Sequence, residues 1–345
     1  MTDRRSALFE LTLARLRLFF REPSAVFWAF GFPLVLSVAL GVAFRNRPSE
    51  PVRVAVQSGP AAERTLSALA SPLVKGVVLD ADAAGRELRS GKVVLVVVPG
   101  ETRTYRYDET RPEARLARLL VDDALQRAEG RADVTRVSDE RVAEVGARYI
   151  DFLVPGLVGL NLMSSGMWGI GYSIVEMRTK KLFKRMLATP MRRSDFLLSF
   201  IIMRAIFAAI EVPVLFGFGR LAFGVRVFGS PLLLGALCLL GALTFGGLGL
   251  LVASRAQNTQ TVGGLMNLVM MPMFICSGVF FSTSNFPERM QPALRLLPLT
   301  ALNDALRAVM EGDGDPARAV GGPALVLGAW TLASYAAALK LFRWR

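Results

Sequence analysis

Six apolar runs, each close to the length of a membrane-spanning helix, are the feature that most constrains the fold of this chain. A helix needs about 20 consecutive apolar residues to cross the hydrocarbon core of a bilayer. With 52% hydrophobic residues among 345 and a mean hydropathy of +0.42, the composition agrees with a membrane protein that crosses the bilayer several times. The runs predict spans at Ala25–Phe44, Phe152–Val175, Phe196–Phe218, Pro231–Ala253, Val262–Phe281 and Gly322–Leu341.

Lys and Arg cluster in three short segments: the N-terminal segment, the loop between the second and third runs, and the C-terminus. Short loops rich in these residues stay in the cytoplasm, and six spans bring all three clusters to one side. We therefore expect a multi-pass membrane protein with both termini cytoplasmic. The net charge of +13 is also typical of nucleic-acid-binding proteins, but apolar runs of this length favour the membrane as partner. The charged helical sequence before the first run does not fit a cleaved signal peptide.

The segment between the first two runs, residues 45–149, has the pattern of a small α/β domain, and the orientation above makes it extracytoplasmic. Runs of β-branched residues and one alternation of polar with aromatic residues predict strands at Val52–Val56, Val77–Leu79, Val93–Val98 and Thr102–Tyr107. Helices are predicted at Ala61–Ala70, Asp82–Arg89 and Glu113–Arg148, the last with Leu116, Leu119, Leu120 and Leu125 on one side.

The loop from Glu176 to Asp195 is the most distinctive segment. Its large apolar residues recur at helical spacing, at Leu182, Phe183, Met186 and Leu187, and its basic residues Lys180, Lys181, Lys184 and Arg185 occupy the remaining surface. Thr189-Pro190 supplies a stop, because proline disfavours helical geometry in the preceding residue. A loop that only reverses the chain would be short, polar and glycine-rich. This one predicts a short amphipathic helix that docks into a cytosolic partner.

Two further segments have unusual patterns. Phe9, Leu13, Leu16 and Phe20 recur at helical spacing between arginines, which indicates an amphipathic helix at the cytosolic membrane face or a simple positive anchor. Ser277–Gly312 is apolar, too short to span twice and broken by prolines. This pattern suggests re-entrant or interfacial helices on the outer side.

No residue pattern indicates a catalytic or nucleotide-binding site. The chain has no histidine, which excludes histidine ligands and general bases. Gly85–Val93 resembles a phosphate loop superficially, but five residues separate its glycines and Val93 replaces the Ser or Thr that would hold magnesium. We therefore expect no cofactor, no metal site, no enzymatic activity and no hydrolysis of ATP by this chain. Cys238 and Cys276 lie in apolar runs and are interpreted as small buried residues.

Arg204 and Glu211 are ionisable residues within the third run, two helical turns apart on one face. They could line a translocation path or pair across a subunit boundary. The structural alternative is that Arg204 reaches the cytosolic interface while Glu211 marks a kink with Pro213. Glycines of the fourth and fifth runs (Gly241, Gly246, Gly247, Gly249, Gly263 and Gly264) would permit close helix approach.

Three blocks together resemble the membrane subunits of type-2 ABC transporters: REPSAVFWAFGFP, EMRTKKLFKRMLATPMRRSDFL, and SGVFF followed by LLPLTALNDALRAVMEG. The resemblance covers essentially the whole chain, and the outer domain looks like that of a subgroup of bacterial exporters. One departure is Ala301, where members commonly carry an aromatic residue. The resemblance implies a coupling helix at 179–188 that docks into an ATPase subunit. Its residues would be Glu176, Lys181, Leu182, Phe183, Lys184, Arg185, Met186, Leu187, Thr189 and Pro190.

The resemblance also implies a connector helix at Ser6–Arg21 and re-entrant outer helices at 286–310. The residues of the re-entrant block would include Pro298, Leu299, Thr300, Asp304 and Arg307. The expected organisation is a connector at 1–22, a first span at 23–44, an extracytoplasmic α/β domain at 45–149, and five further spans in 150–345.

The sequence thus predicts an all-α six-helix permease of the type-2 ABC exporter fold with an inserted α/β domain. It would pair with a second permease copy, identical or related, and with an ABC ATPase that drives export. The alternatives are a membrane receptor or sensor with an extracytoplasmic ligand-binding domain, for which no signalling domain is visible, and a membrane enzyme, for which clustered carboxylates are missing. Lipids, hydrophobic drugs, polyketides, peptides and ions all remain open as substrates.

Overall fold

A computed structural model of the protein describes residues 4–43, 51–71, 73–100, 102–132, 135, 148–182, 193–312 and 316–341. The chain divides into two compact units. Unit 1 comprises Met1–Arg45 with Val142–Arg345, and unit 2 comprises Asn46–Arg141. Unit 1 is helical wherever it has regular structure, whereas unit 2 contains a β-sheet.

The N-terminal part of unit 1 is helical except at Glu22. It consists of α1 (Arg4–Arg21), α2 (Pro23–Val26), a π-helical segment (Phe27–Gly31) and α3 (Phe32–Ala43). Pro23 opens α2, a position where its missing N–H would have no helical partner anyway. The apolar helix Phe27–Ala43 occupies the first predicted span but is shorter than the membrane-length helices described below. Its crossing of the membrane therefore stays a prediction.

Unit 2 contains one four-stranded sheet in the order β2-β1-β3-β4. The strands are β1 (Val52–Gln57), β2 (Val74–Leu79), β3 (Leu95–Val98) and β4 (Thr104–Tyr107). β1 runs parallel to β2 and β3, and β4 is antiparallel to β3. The helices are α4 (Ala62–Ala68), α5 (Ala81–Ser90) and α6 (Pro112–Ala128). Each predicted strand overlaps an observed one, while the predicted helix Glu113–Arg148 ends at Ala128 and its later part lies largely outside the described residues.

Helices cover both faces of this sheet. Apolar residues of α4 and α6 pack against one face and those of α5 against the other. The predicted apolar face of α6 is wrong at Leu116 and Leu119, which are exposed, but its member Leu125 is buried. The buried face also carries Ala114, Ala117 and Val121. Small side chains let the helix approach the strands closely, so they take the inner positions.

The remaining helices of unit 1 are α7 (Tyr149–Gly166), a π-helical segment (Met167–Tyr172), α8 (Ser173–Thr179), α9 (Arg193–Phe223), α10 (Pro231–Arg255), α11 (Thr259–Cys276), α12 (Gln291–Arg295), α13 (Pro298–Glu311) and α14 (Pro316–Leu341). Five described helices are long and apolar enough to cross a membrane, and each of the last five predicted spans falls on one of them. They are Tyr149–Thr179, Leu198–Phe223, Pro231–Arg255, Thr259–Cys276 and Arg318–Leu341.

The central helix of unit 1 is α10, which contacts α7, α9, α13 and α14. Glycines allow this close packing, as predicted for the fourth span. A Cβ atom on Gly247 would lie 2.3 Å from Ser334 Oγ, and one on Gly249 would lie 2.9 Å from the backbone of Met167. Gly263 and Gly264 of α11 differ from the prediction, since nothing lies within 3.4 Å of a Cβ atom at either position.

Candidate functional site

The predicted coupling segment begins where the helix of the second predicted span ends. α8 ends at Thr179, and Lys181 has a φ of 57°, a left-handed conformation that a helix cannot continue through. Glu176 Oε1 lies 2.8 Å from Lys180 Nζ, and this hydrogen bond raises the pKa of Lys180. Residues 179–181 therefore belong to the turn that ends α8, and Leu182 is again helical. A coupling helix could therefore not start at Thr179 as predicted, and the rest of its predicted course, from Phe183, lies outside the described residues.

Seven of the ten predicted coupling residues belong to the connection between α8 and the next described helix. The following lie outside the described residues: Phe183, Lys184, Arg185, Met186, Leu187, Thr189 and Pro190. The described chain resumes at α9, so residues 183–192 connect α8 to α9. The contacts of α8 and α9 with other helices therefore decide which parts of unit 1 would follow a movement of residues 183–192.

On the α8 side, the anchor is Arg178. Its Nη1 donates a hydrogen bond of 3.0 Å to the carbonyl oxygen of Ala253 and another to that of Ala256. Both carbonyls belong to the C-terminal end of α10, where helical carbonyls have no partner within the helix. A guanidinium with several donors in a fixed plane suits this task. Arg178 therefore joins the end of α8 to the end of the central helix.

On the α9 side, the anchor is Arg15 of α1. Its guanidinium carbon lies 3.4 Å from the centroid of the Phe200 ring, and its Nε donates a 3.2 Å hydrogen bond to Ser199 Oγ. The rings of Phe19 and Phe207 lie 4.3 Å apart, centroid to centroid, two turns further along. Burial lowers the pKa of Arg15 to about 10, so the side chain stays charged at neutral pH. α1 is thus bound to the first half of α9 by cation–π, hydrogen-bond and ring contacts.

Arg204 and Glu211 form a buried ion pair within α9. Arg204 Nη1 lies 3.2 Å from Glu211 Oε2, and the two side chains are only 4% and 2% exposed. Arg204 Nη2 donates to the carbonyl oxygen of Leu162, and Ser165 Oγ donates to Glu211 Oε2, so the pair also binds α9 to α7. Arg204 does not reach an aqueous interface, and α9 continues through Pro213 without interruption. The pairing is within one chain, while a role in a translocation path stays a prediction.

The predicted re-entrant block forms α12 and α13. Pro298 occupies the first turn of α13, and Leu299 and Thr300 are fully buried. The guanidinium of Arg307 lies 3.6 Å from the centroid of the Phe152 ring, and Nε donates to the carbonyl oxygen of Phe152. Asp304 Oδ1 is 3.9 Å from Arg307 Nη1, which makes their ion pair a loose one.

The same block also fixes the end of α11. Arg307 Nη2 donates to the carbonyl oxygen of Gly278, and Asn303 Nδ2 donates to that of Ser277 at 2.9 Å. Gly278 has a φ of 69°, which ends the helical conformation. For this reason α11 ends at Cys276, and the predicted extension of the fifth span to Phe281 is wrong.

Sequence reasoning missed Arg15, Arg178 and Asn303 as individual contributors. Arg178 immediately precedes the basic segment, and Arg15 lies among the arginines of the N-terminal helix. The sequence therefore does not distinguish either of them from the neighbouring basic residues. The segment that resembles a phosphate loop is the end of α5 instead, with Gly91 as its left-handed cap at a φ of 73°. That geometry provides no cradle for a phosphate.

Comparisons with known proteins agree with these observations. Residues 23–340 match the family described as ABC-2 family transporter protein. The chain is 27% identical over 201 residues to nodulation protein J of Bradyrhizobium diazoefficiens, covering 58% of this chain and 76% of that protein. It is 28% identical over 168 residues to nodulation protein J of Rhizobium leguminosarum bv. trifolii, covering 48% of this chain and 64% of that protein.

The family match extends from α2 to the end of α14 and includes all five membrane-length helices. A family of transporters with several apolar helices places the protein in a membrane and among transporters rather than enzymes. The chain therefore belongs to the ABC-2 family of transporter proteins, as the membrane subunit of an ABC transporter.

Proposed function

We propose that the protein is a permease that couples ATP hydrolysis by a separate ABC ATPase subunit to export of a substrate. The observation that carries this proposal is the anchoring of α8 and α9, the helices that residues 183–192 connect. Before the segment, Arg178 joins α8 to the end of α10, and after it, Arg15 joins α9 to α1. A force applied to the segment would therefore move four helices together.

The chemistry of the segment supplies the docking surface. It is cationic and carries the large apolar residues Phe183, Met186 and Leu187. Burial of each such side chain in a groove of the ATPase would contribute roughly 1.5–3 kcal/mol. When the ATPase subunits close on ATP, the docked segments would move with them, and the attached helices would turn as rigid bodies.

The proposal includes a topology. Six spans, with Phe27–Ala43 as the first, would leave both termini and the basic segment in the cytoplasm. Unit 2 would then be extracytoplasmic, and α12 and α13 would be re-entrant helices on the outer side. Two permease copies would enclose the path. The distribution of Lys and Arg in the short loops supports this arrangement.

Co-purification of the ATPase tests the docking step. Phe183→Asp combined with Leu187→Asp removes apolar burial and adds two charges, so we expect binding to weaken by at least a hundredfold. The matched control is Lys180→Gln, just before the segment, combined with Arg185→Gln within it, which should weaken binding far less because exposed ion pairs contribute little. Retention of the ATPase at wild-type stoichiometry by the double Asp variant would exclude this segment as the coupling element.

Hydrolysis and transport test the rest of the proposal. The purified chain alone should show no ATPase activity, and turnover should appear when the ATPase subunit is added. A receptor would instead bind its ligand without any ATPase partner. Robust hydrolysis by the isolated chain that survives Lys92→Ala would contradict the two-subunit mechanism.

A further inference from the structure

A cationic cavity lies at the C-terminal end of α9. It has a volume of about 740 Å³ and is lined by Arg148, Arg220, Gly224, Arg226, Val227 and Phe228. The described lining thus contains three guanidinium groups and no carboxylate. Such a concentration of positive charge needs a counter-charge, either from solvent ions or from a bound anion.

The charge of Arg148 is already compensated. Its Nε and Nη2 bind the two carboxylate oxygens of Asp151 at 2.9 and 3.0 Å, and this hydrogen bonding raises the pKa of Arg148. Its Nη1 donates to the carbonyl oxygen of Phe223 at the end of α9. Arg220 and Arg226 are exposed and form no ion pair with any described residue. The cavity therefore offers two positive charges that no carboxylate in the described part of the chain compensates.

The loop that carries Arg226 is held in place by backbone hydrogen bonds. Phe228 N donates to the carbonyl oxygen of Met310 at 3.1 Å, and Gly229 N donates to that of Val309 at 3.0 Å. A Cβ atom on Gly229 would lie 2.3 Å from that carbonyl oxygen, so glycine permits the close approach. The two free arginines thus project from fixed backbone, one on a helix and one on a loop pinned to α13.

Large exposed apolar side chains lie near these arginines in the sequence. Leu221 follows Arg220 and is 89% exposed, Phe228 lines the cavity and is 54% exposed, and Leu232 in the first turn of α10 is 84% exposed. Exposed apolar residues of this size beside a cationic cavity are typical of a surface that faces lipid tails and phosphates together.

In the proposed topology, the length of α9 would put the cavity at the level of the lipid headgroups. With 31 residues the helix is about 46 Å long, close to the ~40–45 Å of a bilayer including its headgroup regions. If the first turn of α9 lies at one membrane surface, beside the basic segment, the last turn lies at the other. In the proposed topology that surface is the outer one.

We propose that this cavity binds the phosphate of an anionic phospholipid, with Arg220 and Arg226 on the headgroup and the acyl chains along Leu221, Phe228 and Leu232. Guanidinium groups bind phosphate oxygens with paired hydrogen bonds, and a volume of about 740 Å³ leaves room for a phosphate and the group it carries. The leaflet rests on the proposed topology, but the binding itself requires neither the ATPase nor transport.

Native mass spectrometry of the full chain, titrated with phosphatidylglycerol or phosphatidylcholine, tests the proposal. We expect the first phosphatidylglycerol to bind at least tenfold more weakly to Arg220→Gln with Arg226→Gln than to the wild type. The matched control is Arg255→Gln with Arg289→Gln, which removes the same charge from two exposed arginines elsewhere and should change the affinity less than twofold.

Three outcomes would overturn the proposal. They are equal affinity of the wild type for the two lipids, equal losses in the cavity and control variants, and displacement of phosphatidylglycerol by the same concentration of soluble glycerol phosphate. The last result would assign the cavity to a free phosphate compound. If the double variant does not fold, the loop variant Arg226→Gln alone should still weaken phosphatidylglycerol binding several-fold. If the wild-type chain binds phosphatidylglycerol as expected but does not co-purify with an ATPase, the proposed function is contradicted and the lipid site is not.

Discussion

The buried ion pair of α9 makes a quantitative prediction about stability. Glu211→Leu leaves the guanidinium of Arg204 with only the carbonyl oxygen of Leu162 as a described acceptor. Removal of one partner from a buried pair costs about 3–5 kcal/mol, because the remaining charge stays away from water. For a unit of this size each kcal/mol lowers the melting temperature by about 2 °C. We therefore expect a decrease of about 6–10 °C.

Two further variants of the same ion pair, Arg204→Met and the double variant with Glu211→Leu, test the cause of this destabilisation. Arg204→Met leaves a carboxyl group that can neutralise itself by binding a proton, whereas a guanidinium cannot lose one. Arg204→Met should therefore destabilise less than Glu211→Leu. The double variant replaces the pair by apolar side chains of similar volume and should recover most of the loss.

Thermal unfolding in detergent, followed by the recovery of the monodisperse protein, measures all three variants. The matched control is Glu176→Leu, which breaks the exposed pair with Lys180 and should lower the melting temperature by less than about 2 °C. A Glu211→Leu variant as stable as the wild type would refute the reasoning. A double variant as unstable as the worse single variant would refute it equally.

Three further predictions concern topology, packing and coupling. Asp108→Cys should react with a membrane-impermeant thiol reagent in intact cells, and Lys184→Cys only after permeabilisation. Gly159→Val should lower the melting temperature, since even a Cβ atom would lie 2.1 Å from Asn303 Oδ1 and overpacking costs about 1–3 kcal/mol. Arg178→Gln should keep the ATPase bound but reduce ATP-driven transport by the reconstituted complex, because α8 and α10 would no longer move together.

Each of these three predictions has a matched control in the same chain. The unsubstituted chain, with Cys238 and Cys276, gives the labelling background. Gly264→Val adds the same side chain where nothing lies within 4 Å and should leave the melting temperature unchanged. Arg255→Gln removes a neighbouring charge and should leave transport intact. Inverted labelling, a stable Gly159→Val variant, or equal transport by Arg178→Gln and the wild type would each contradict its prediction.

Positions of the long helices could be predicted from sequence because hydropathy over 20 residues averages out local detail. The faces and ends of helices depend on neighbours that hydropathy does not contain. In α6, apolarity favoured Leu116 and Leu119 for the core, but close packing on the sheet selected Ala114 and Ala117. In α11, the helix ends before the apolar run does, and the carbonyl oxygens of the next two residues, Ser277 and Gly278, accept hydrogen bonds from Asn303 and Arg307.

The candidate site could be predicted only in part for the same reason. Arg204 and Glu211 were recognised because charges in a span are rare, and their spacing placed them on one face. Their contacts with Leu162 and Ser165 connect residues about 40–50 positions apart and follow only from the fold. Arg15 and Arg178 carry no such signal, since arginines in a basic segment look alike until their acceptors are known.

The contacts between α1 and α9 have a consequence for biosynthesis. Phe19 meets Phe207, and at a translation rate of about 5–20 residues per second the ~190 residues between them take about 10–40 s to emerge. During that interval the N-terminal helices lack their partner in α9, so the ring of Phe19 is without its contact on Phe207. A truncation before α9 would make that state permanent, and the N-terminal helices therefore reach their final packing only after more than half of the chain has been made.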